Sequence, residues 1–148
     1  MNMNEKMNLA CISTGNTFDI YKPGEGAAVR AATTTDDVTL FNAVNGSGEK
    51  IADNLNVDIV VSNIIATSVD VHTDPNDEES EMINKPCINF FLADGRMISS
   101  ISNGIIRAVK KLFEVGFEPT PETPITIKFK EIKTKRGTAH TFDLIKRG

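Results

Sequence analysis

Runs of β-branched and apolar residues dominate the middle of the chain. The segment Val57–Val71 is rich in Val, Ile and Thr, and its polar positions follow neither a period of two nor a helical period. A helix would hold nine β-branched residues there against their preference. The pattern therefore predicts one long strand with a bulge near Ser62 and Asn63. A shorter alternation over Val38–Asn45 predicts another strand ahead of it.

A turn and a helical pattern follow. The pair Asp94-Gly95 separates two short apolar runs and is typical of a two-residue type I′ hairpin, because both positions tolerate positive φ. Ser100 or Ser102 is then placed to cap a helix that runs to about Val115, with Gly116 as its natural end. Apolar residues recur on one side of this helix at intervals of three or four. They are Ile101, Ile105, Ile106, Val109, Leu112 and Phe113.

A second hairpin, over Ile125–Ile145, closes the chain. The register expected for it sets Phe129 opposite Leu144 and Lys130 opposite Asp143, because both cross-strand pairs are favourable.

Two polar segments interrupt the pattern. Residues 1–9 are expected to form a frayed leader. The segment 73–84 holds five carboxylates and no basic residue, and it predicts a solvated acidic loop. No repeat or linker divides the chain, so residues 1–148 are expected to form a single, mainly β (α+β) domain.

Sequence signatures of catalysis and metal binding are missing. The two cysteines and two histidines do not have the spacing of metal ligands; they are Cys11, Cys87, His72 and His140. No glycine-rich phosphate loop and no nucleophile–base pair can be recognised. We therefore expect no enzyme, no cofactor and no metal. No apolar run approaches the roughly 18 residues of a membrane span, and the polar start is unlike a signal peptide. These features predict a cytoplasmic protein.

The charge is distributed unevenly. The net charge is −4, but Met1–Asp94 holds 5 basic and 15 acidic residues, whereas Gly95–Gly148 holds 11 basic and 5 acidic ones. Five cations lie in the first strand and turn of the second hairpin. They are Lys128, Lys130, Lys133, Lys135 and Arg136. A basic face in the last third of the chain is therefore expected despite the acidic total.

Two interpretations fit this basic hairpin equally well. If Ile127 and Phe129 face a core, Lys128 and Lys130 share the opposite face of the strand. Such a hairpin can follow a phosphate backbone. Lysines also protect exposed strands from aggregation, and that function needs no ligand.

Several short motifs together resemble those of phage and mobile-element single-stranded-DNA-binding proteins. The motifs are the strand–turn–helix start Phe90–Ile105, then Gly116–Pro119, Pro124–Lys128 and Lys133–Gly137, and the earlier Leu40–Asn45. The resemblance covers residues 38–145. It implies an OB-like antiparallel β-barrel with one amphipathic helix and a C-terminal hairpin. The implied function is to coat single-stranded DNA without sequence specificity in phage DNA replication or recombination.

The resemblance also implies a binding surface and partners. Lysine contacts to phosphate would combine with base stacking on aromatic side chains. The chain has one Tyr and no Trp, so the stacking candidates are Tyr21, Phe41 and Phe91. Arg96 is a further candidate for DNA binding beside the hairpin cations. The resemblance leaves open whether the chain also binds replication or recombination proteins and whether it forms a homo-oligomer. The alternative function is a phage protein–protein interaction module, either a structural component or an inhibitor of a host factor, with no nucleic-acid ligand.

Overall fold

The computed structural model describes residues 28–148, and their strands form one antiparallel sheet. The expected leader and Tyr21 lie outside the described residues. In chain order the elements are β1 (Val29–Ala32), α1 (Asp37–Asn45), a 3-10 helix (Ile51–Asn54), β2 (Asp58–His72), β3 (Met82–Leu92), β4 (Met97–Ser100), α2 (Asn103–Val115), β5 (Ile125–Thr134) and β6 (Gly137–Arg147). The sheet order is β4-β3-β2-β5-β6, with β1 also paired to β2.

The long strand predicted in the middle of the chain is confirmed as β2. Its pairing with β3 shifts register between Val61 and Asn63, so the expected bulge is present. Ile64 belongs to the main core, whereas its neighbour Ile65 belongs to a smaller core with residues of β1 and α1. Because adjacent side chains of a strand point to opposite faces, β2 contributes to a core on each side of the sheet.

The strand predicted over Val38–Asn45 is wrong, because this segment is helix α1. The side chain of Asp36 caps the helix by accepting a hydrogen bond from the Thr39 amide at 3.3 Å. Leu40 and Ala43, three residues apart, are buried in the smaller core. That spacing matches one face of a helix. The strand was predicted because apolar and polar residues also alternate over part of this segment.

The acidic loop is three residues shorter than predicted, since β3 begins at Met82. The Thr73 amide donates to the Glu81 carbonyl at 2.8 Å and closes the loop. Within it, the Asp74 and Asp77 carboxylates accept backbone amides two residues ahead, as in Asx turns.

The hairpin at Asp94-Gly95 is present, but its turn is not the predicted type I′. The Gly95 amide donates to the Leu92 carbonyl at 3.0 Å, and the Leu92 amide donates to the Arg96 carbonyl at 2.9 Å. Within this turn, only Gly95 has positive φ, at 93°. This is a three-residue loop with glycine in the left-handed position, which explains why Asp94 needs no positive φ.

The amphipathic helix is confirmed as α2. Ser102 occupies the cap position without a side-chain cap bond, and Gly116 ends the helix at a φ of 109°. The apolar residues predicted to share one side are buried, except Ile101, which precedes the helix and is exposed. This buried stripe covers one face of the sheet in the main core.

The C-terminal hairpin is confirmed, but the expected register is wrong by two residues. Phe129 lies opposite Phe142, and Lys128 lies opposite Asp143. From Ile127 to the turn, a shift of two leaves each side chain on its expected face, and a bulge between Thr126 and Ile127 changes the register before that point. The observed register brings Phe129 and Phe142 edge-to-face with Phe90, at ring-centroid distances of 5.2 and 5.9 Å, and with each other at 6.1 Å. This aromatic cluster favours the observed pairing.

The described sheet is open. Its ends are β4 and β6, which do not pair with each other, so the OB-like closed barrel expected from the resemblance is not found in residues 28–148. The face of the sheet that forms the main core is buried by α2 instead of by closure of the sheet on itself. The class is nonetheless mainly β, with two α-helices where one was expected. No helix in the described part of the chain is long and apolar enough to cross a membrane.

Candidate nucleic-acid interface

Lys128 and Lys130 lie on the predicted side of β5, but carboxylates compensate their charge. Lys128 Nζ is 3.5 Å from Asp58 Oδ1 on β2, and Lys130 Nζ is 2.9 Å from Asp143 Oδ1 on β6. Asp143 also lies directly opposite Lys128. We call these four residues the charge ladder. It carries two positive and two negative charges, so it has no net attraction for a polyanion.

The remaining three hairpin cations, Lys133, Lys135 and Arg136, are exposed and lie around the turn between β5 and β6. We call them the tip cations. Thr134 Oγ1 stabilises the turn by accepting from the Arg136 amide at 3.3 Å and donating to the Gly137 carbonyl at 3.0 Å. None of the tip cations has an ion-pair partner among residues 28–148.

Arg96 is held in a different hairpin by several acceptors. Its guanidinium contacts Asp94 Oδ2 at 2.9 Å, Glu49 Oε1 at 3.1 Å and Asn54 Oδ1 at 3.2 Å. The pKa of Asp94 lies below its usual value. The hydrogen bond from the Arg96 backbone N–H has the largest effect, and the Arg96 side chain has the next largest. The contacts of Arg96 therefore connect the β3–β4 turn to the 3-10 helix region, and two carboxylates balance its charge.

The candidate stacking residues are dispersed. Phe91 is half-buried against the smaller core. Phe41, on α1, is 62% exposed and is the one exposed phenylalanine among residues 28–148. Neither residue lies on the β5–β6 hairpin that carries the tip cations.

Sequence reasoning missed a groove between α2 and the β5–β6 hairpin. Its volume is about 480 Å³. Arg107 and Lys111, one helical turn apart, line the α2 side, are exposed and have no ion-pair partner in the described chain. Most of the other lining residues are apolar: Ala108, Leu112, Val115, Phe117, Ile132, Ala139, Phe142 and Leu144. The sequence showed Arg107 and Lys111 outside the apolar stripe, but only the packing of α2 beside β6 reveals the groove.

A close backbone contact and a cation–π contact bring α2 and the hairpin together. A Cβ on Gly104 would lie 2.2 Å from the His140 carbonyl oxygen, so only glycine permits this approach. Beyond the other end of α2, the Arg147 guanidinium lies 4.3 Å from the centre of the Phe117 ring. Thr134 also lines the groove, and it is adjacent in sequence to two of the tip cations. The groove therefore reaches the turn that carries the tip cations.

His140 contributes an unsatisfied polar atom to this region. Its Nε2 is enclosed and has no hydrogen-bond partner among residues 28–148. The nearest carboxylate oxygen, Glu131 Oε2, is 3.6 Å away, which is too far for a hydrogen bond. Since His140 lines the groove, a ligand there can approach this side chain.

The sequence profile of the phage single-stranded DNA-binding protein family matches residues 23–145, a range that includes α2, the groove and the tip cations. The chain belongs to this family. Its ligand is single-stranded DNA, as the short motifs predicted. This assignment removes the support for the alternative, an interaction module without a nucleic-acid ligand. Searches of curated proteins and of solved structures found no match.

Proposed function

We propose that this phage single-stranded DNA-binding protein coats DNA during replication or recombination and holds the phosphate backbone with five cations around the α2–hairpin groove. They are Arg107, Lys111, Lys133, Lys135 and Arg136. The observation that carries the proposal is that these cations have no ion-pair partners among residues 28–148, whereas carboxylates compensate both lysines of the charge ladder.

The difference between free and paired cations decides which of them bind DNA. A cation that meets a phosphate releases a counterion from the DNA, and this release provides much of the binding free energy at low salt. Lys128 would first have to leave Asp58, and Lys130 would have to leave Asp143. The tip cations and the two α2 cations lose no such partner. We therefore assign the main phosphate contacts to the free cations.

The same chemistry explains coating without sequence specificity. Lysine and arginine contacts to phosphate fix the position of a strand but carry no base information. A protein with this role binds DNA without catalysis, and its affinity depends strongly on salt. Replication or recombination proteins that act on the coated strand are the further partners of this role.

A titration at several salt concentrations tests the site. Fluorescence polarisation with a labelled thymidine oligonucleotide, from about 50 to 200 mM salt, gives the slope of log affinity against log salt. The variant Lys133→Gln/Lys135→Gln should bind more weakly and show a slope shallower by about 1.4, because each phosphate contact to a single strand contributes about 0.7.

The matched control is Lys50→Gln/Lys85→Gln, which removes the same charge outside α2 and the hairpin. Its slope should stay close to that of the unmodified protein. If both double variants flatten the slope equally, binding depends on total charge and the assignment of the tip cations is wrong. If the unmodified protein binds no oligonucleotide at low salt, coating of DNA is refuted.

A further inference from the structure

The α2–hairpin groove has more apolar surface than phosphate binding needs. Phosphates require cations or N–H donors, which Arg107 and Lys111 supply from the wall of the groove. Between α2 and the hairpin lie apolar side chains such as Ala108, Leu112 and Phe142. A volume of about 480 Å³ is within the range of roughly 300–1,000 Å³ found for small-molecule sites. The groove is therefore large enough for a flat organic group.

We propose that this groove accommodates an unstacked nucleobase of the bound strand, an inference that rests on the proposed function. Single-stranded DNA exposes the faces of its bases, and these faces bind to apolar and aromatic side chains. A backbone held by the tip cations and by Arg107 and Lys111 runs along the rim. Its bases can then turn toward the apolar interior.

His140 supplies the polar contact of this site when its ring turns toward the groove, because Nε2 is enclosed by the protein until then. A buried polar atom without a hydrogen-bond partner is unfavourable, and Nε2 of His140 is such an atom among residues 28–148. A nucleobase edge carries both donors and acceptors, so it can pair with either tautomer of the ring. One hydrogen bond that every base can make is compatible with binding that does not read sequence.

The cationic rim favours a nucleotide over other occupants. An apolar peptide segment or a second copy of the chain would also fill an apolar groove. Neither would use the free charges of Arg107 and Lys111 unless it were acidic, whereas DNA provides a phosphate beside every base. The ligand established by the family is also single-stranded DNA.

The test compares a thymidine oligonucleotide with an abasic oligonucleotide of the same length and charge. The unmodified protein should bind the thymidine strand at least about fivefold more tightly, since stacking of one base provides an effect of this size. Ala108→Leu fills the groove and should remove most of that preference while it leaves binding of the abasic strand and its salt slope unchanged. The control Ala52→Leu makes the same change at an exposed position of the 3-10 helix and should keep the preference.

A second measurement needs no substitution. In NMR spectra of the unmodified protein, amide signals of Ala108 and His140 should shift on addition of the thymidine strand and move much less with the abasic strand. Equal affinity for the two strands, or signals that respond to neither, overturns the inference. If Ala108→Leu changes the sedimentation coefficient but not DNA affinity, the groove binds protein instead. The shallower salt slope expected for the Lys133→Gln/Lys135→Gln variant tests the phosphate site separately.

Discussion

Gly104 is the residue on which the close approach of α2 to the hairpin depends. In Gly104→Ala the new Cβ would lie 2.2 Å from the His140 carbonyl oxygen, whereas ordinary contact begins at 3.4 Å. The helix and β6 must therefore separate by about 1.2 Å at this point. His140 is paired with Glu131 within the hairpin, so its carbonyl cannot move without disturbing the backbone pairing of β5 with β6.

Two opposing effects determine the stability of Gly104→Ala. Alanine gains at most about 1 kcal/mol over glycine from helix propensity. Forcing an extra carbon into a packed contact costs about 1–3 kcal/mol. We expect a net loss of about 1 kcal/mol in the free energy of unfolding, and a larger loss for Gly104→Val, because valine adds more atoms and a poorer helix propensity.

Urea denaturation followed by circular dichroism measures this loss, as a lower midpoint with an unchanged m-value. The control is Asn103→Ala, an exposed neighbour in the same helical turn, which should unfold within about 0.5 kcal/mol of the unmodified protein. If Gly104→Ala is as stable as the unmodified protein, the helix and hairpin do not meet in the way described, and the shape of the groove is wrong.

Two further predictions test the core and the β3–β4 turn. Phe129 is fully buried and meets the rings of Phe90 and Phe142, so Phe129→Ala should lose about 3–5 kcal/mol in urea denaturation; a loss below 1 kcal/mol would contradict its place in the core. Because the pKa of Asp94 is lowered on folding, its contribution to stability is present above the ordinary pKa of an aspartate and is lost as pH falls through the lower folded value. Carboxyl NMR titration of Arg96→Gln should show that pKa rising only part of the way to its ordinary value, since the backbone N–H donor at residue 96 remains; no rise at all would mean that the guanidinium has no effect.

Elements with strong local signals could be predicted from the sequence. The β-branched density of β2, the interruption at Ser62 and Asn63, and the apolar stripe of α2 that ends at Gly116 are all local signals. Helix α1 was missed because its alternation of apolar and polar residues resembles a strand. Its burial is decided by a core shared with β1 and β2, which no local window contains.

Features that depend on distant partners could not be predicted. The register of the β5–β6 hairpin follows from the contact of Phe129 and Phe142 with Phe90 on β3. The pairing of Lys128 depends on Asp58, a residue of β2 that sequence reasoning had no means to place opposite it. The basic hairpin was therefore recognised as a whole, while the division into paired and free cations required the structure.

Strand directions explain how an acidic chain presents a cationic site. The acidic loop follows the end of β2 at His72, whereas β5 passes the start of β2, where Lys128 pairs with Asp58, and continues beyond it to the tip cations. The loop and the tip cations therefore lie beyond opposite ends of β2. At about 3.3 Å per residue, the 15 residues of β2 span roughly 45 Å when straight. Even a bent strand separates the two by more than the Debye length of about 10 Å at 0.1 M salt. A strand of DNA at the tip cations is thus screened from the five carboxylates of the loop, and the local charge of the hairpin and α2, not the net charge of −4, determines the attraction.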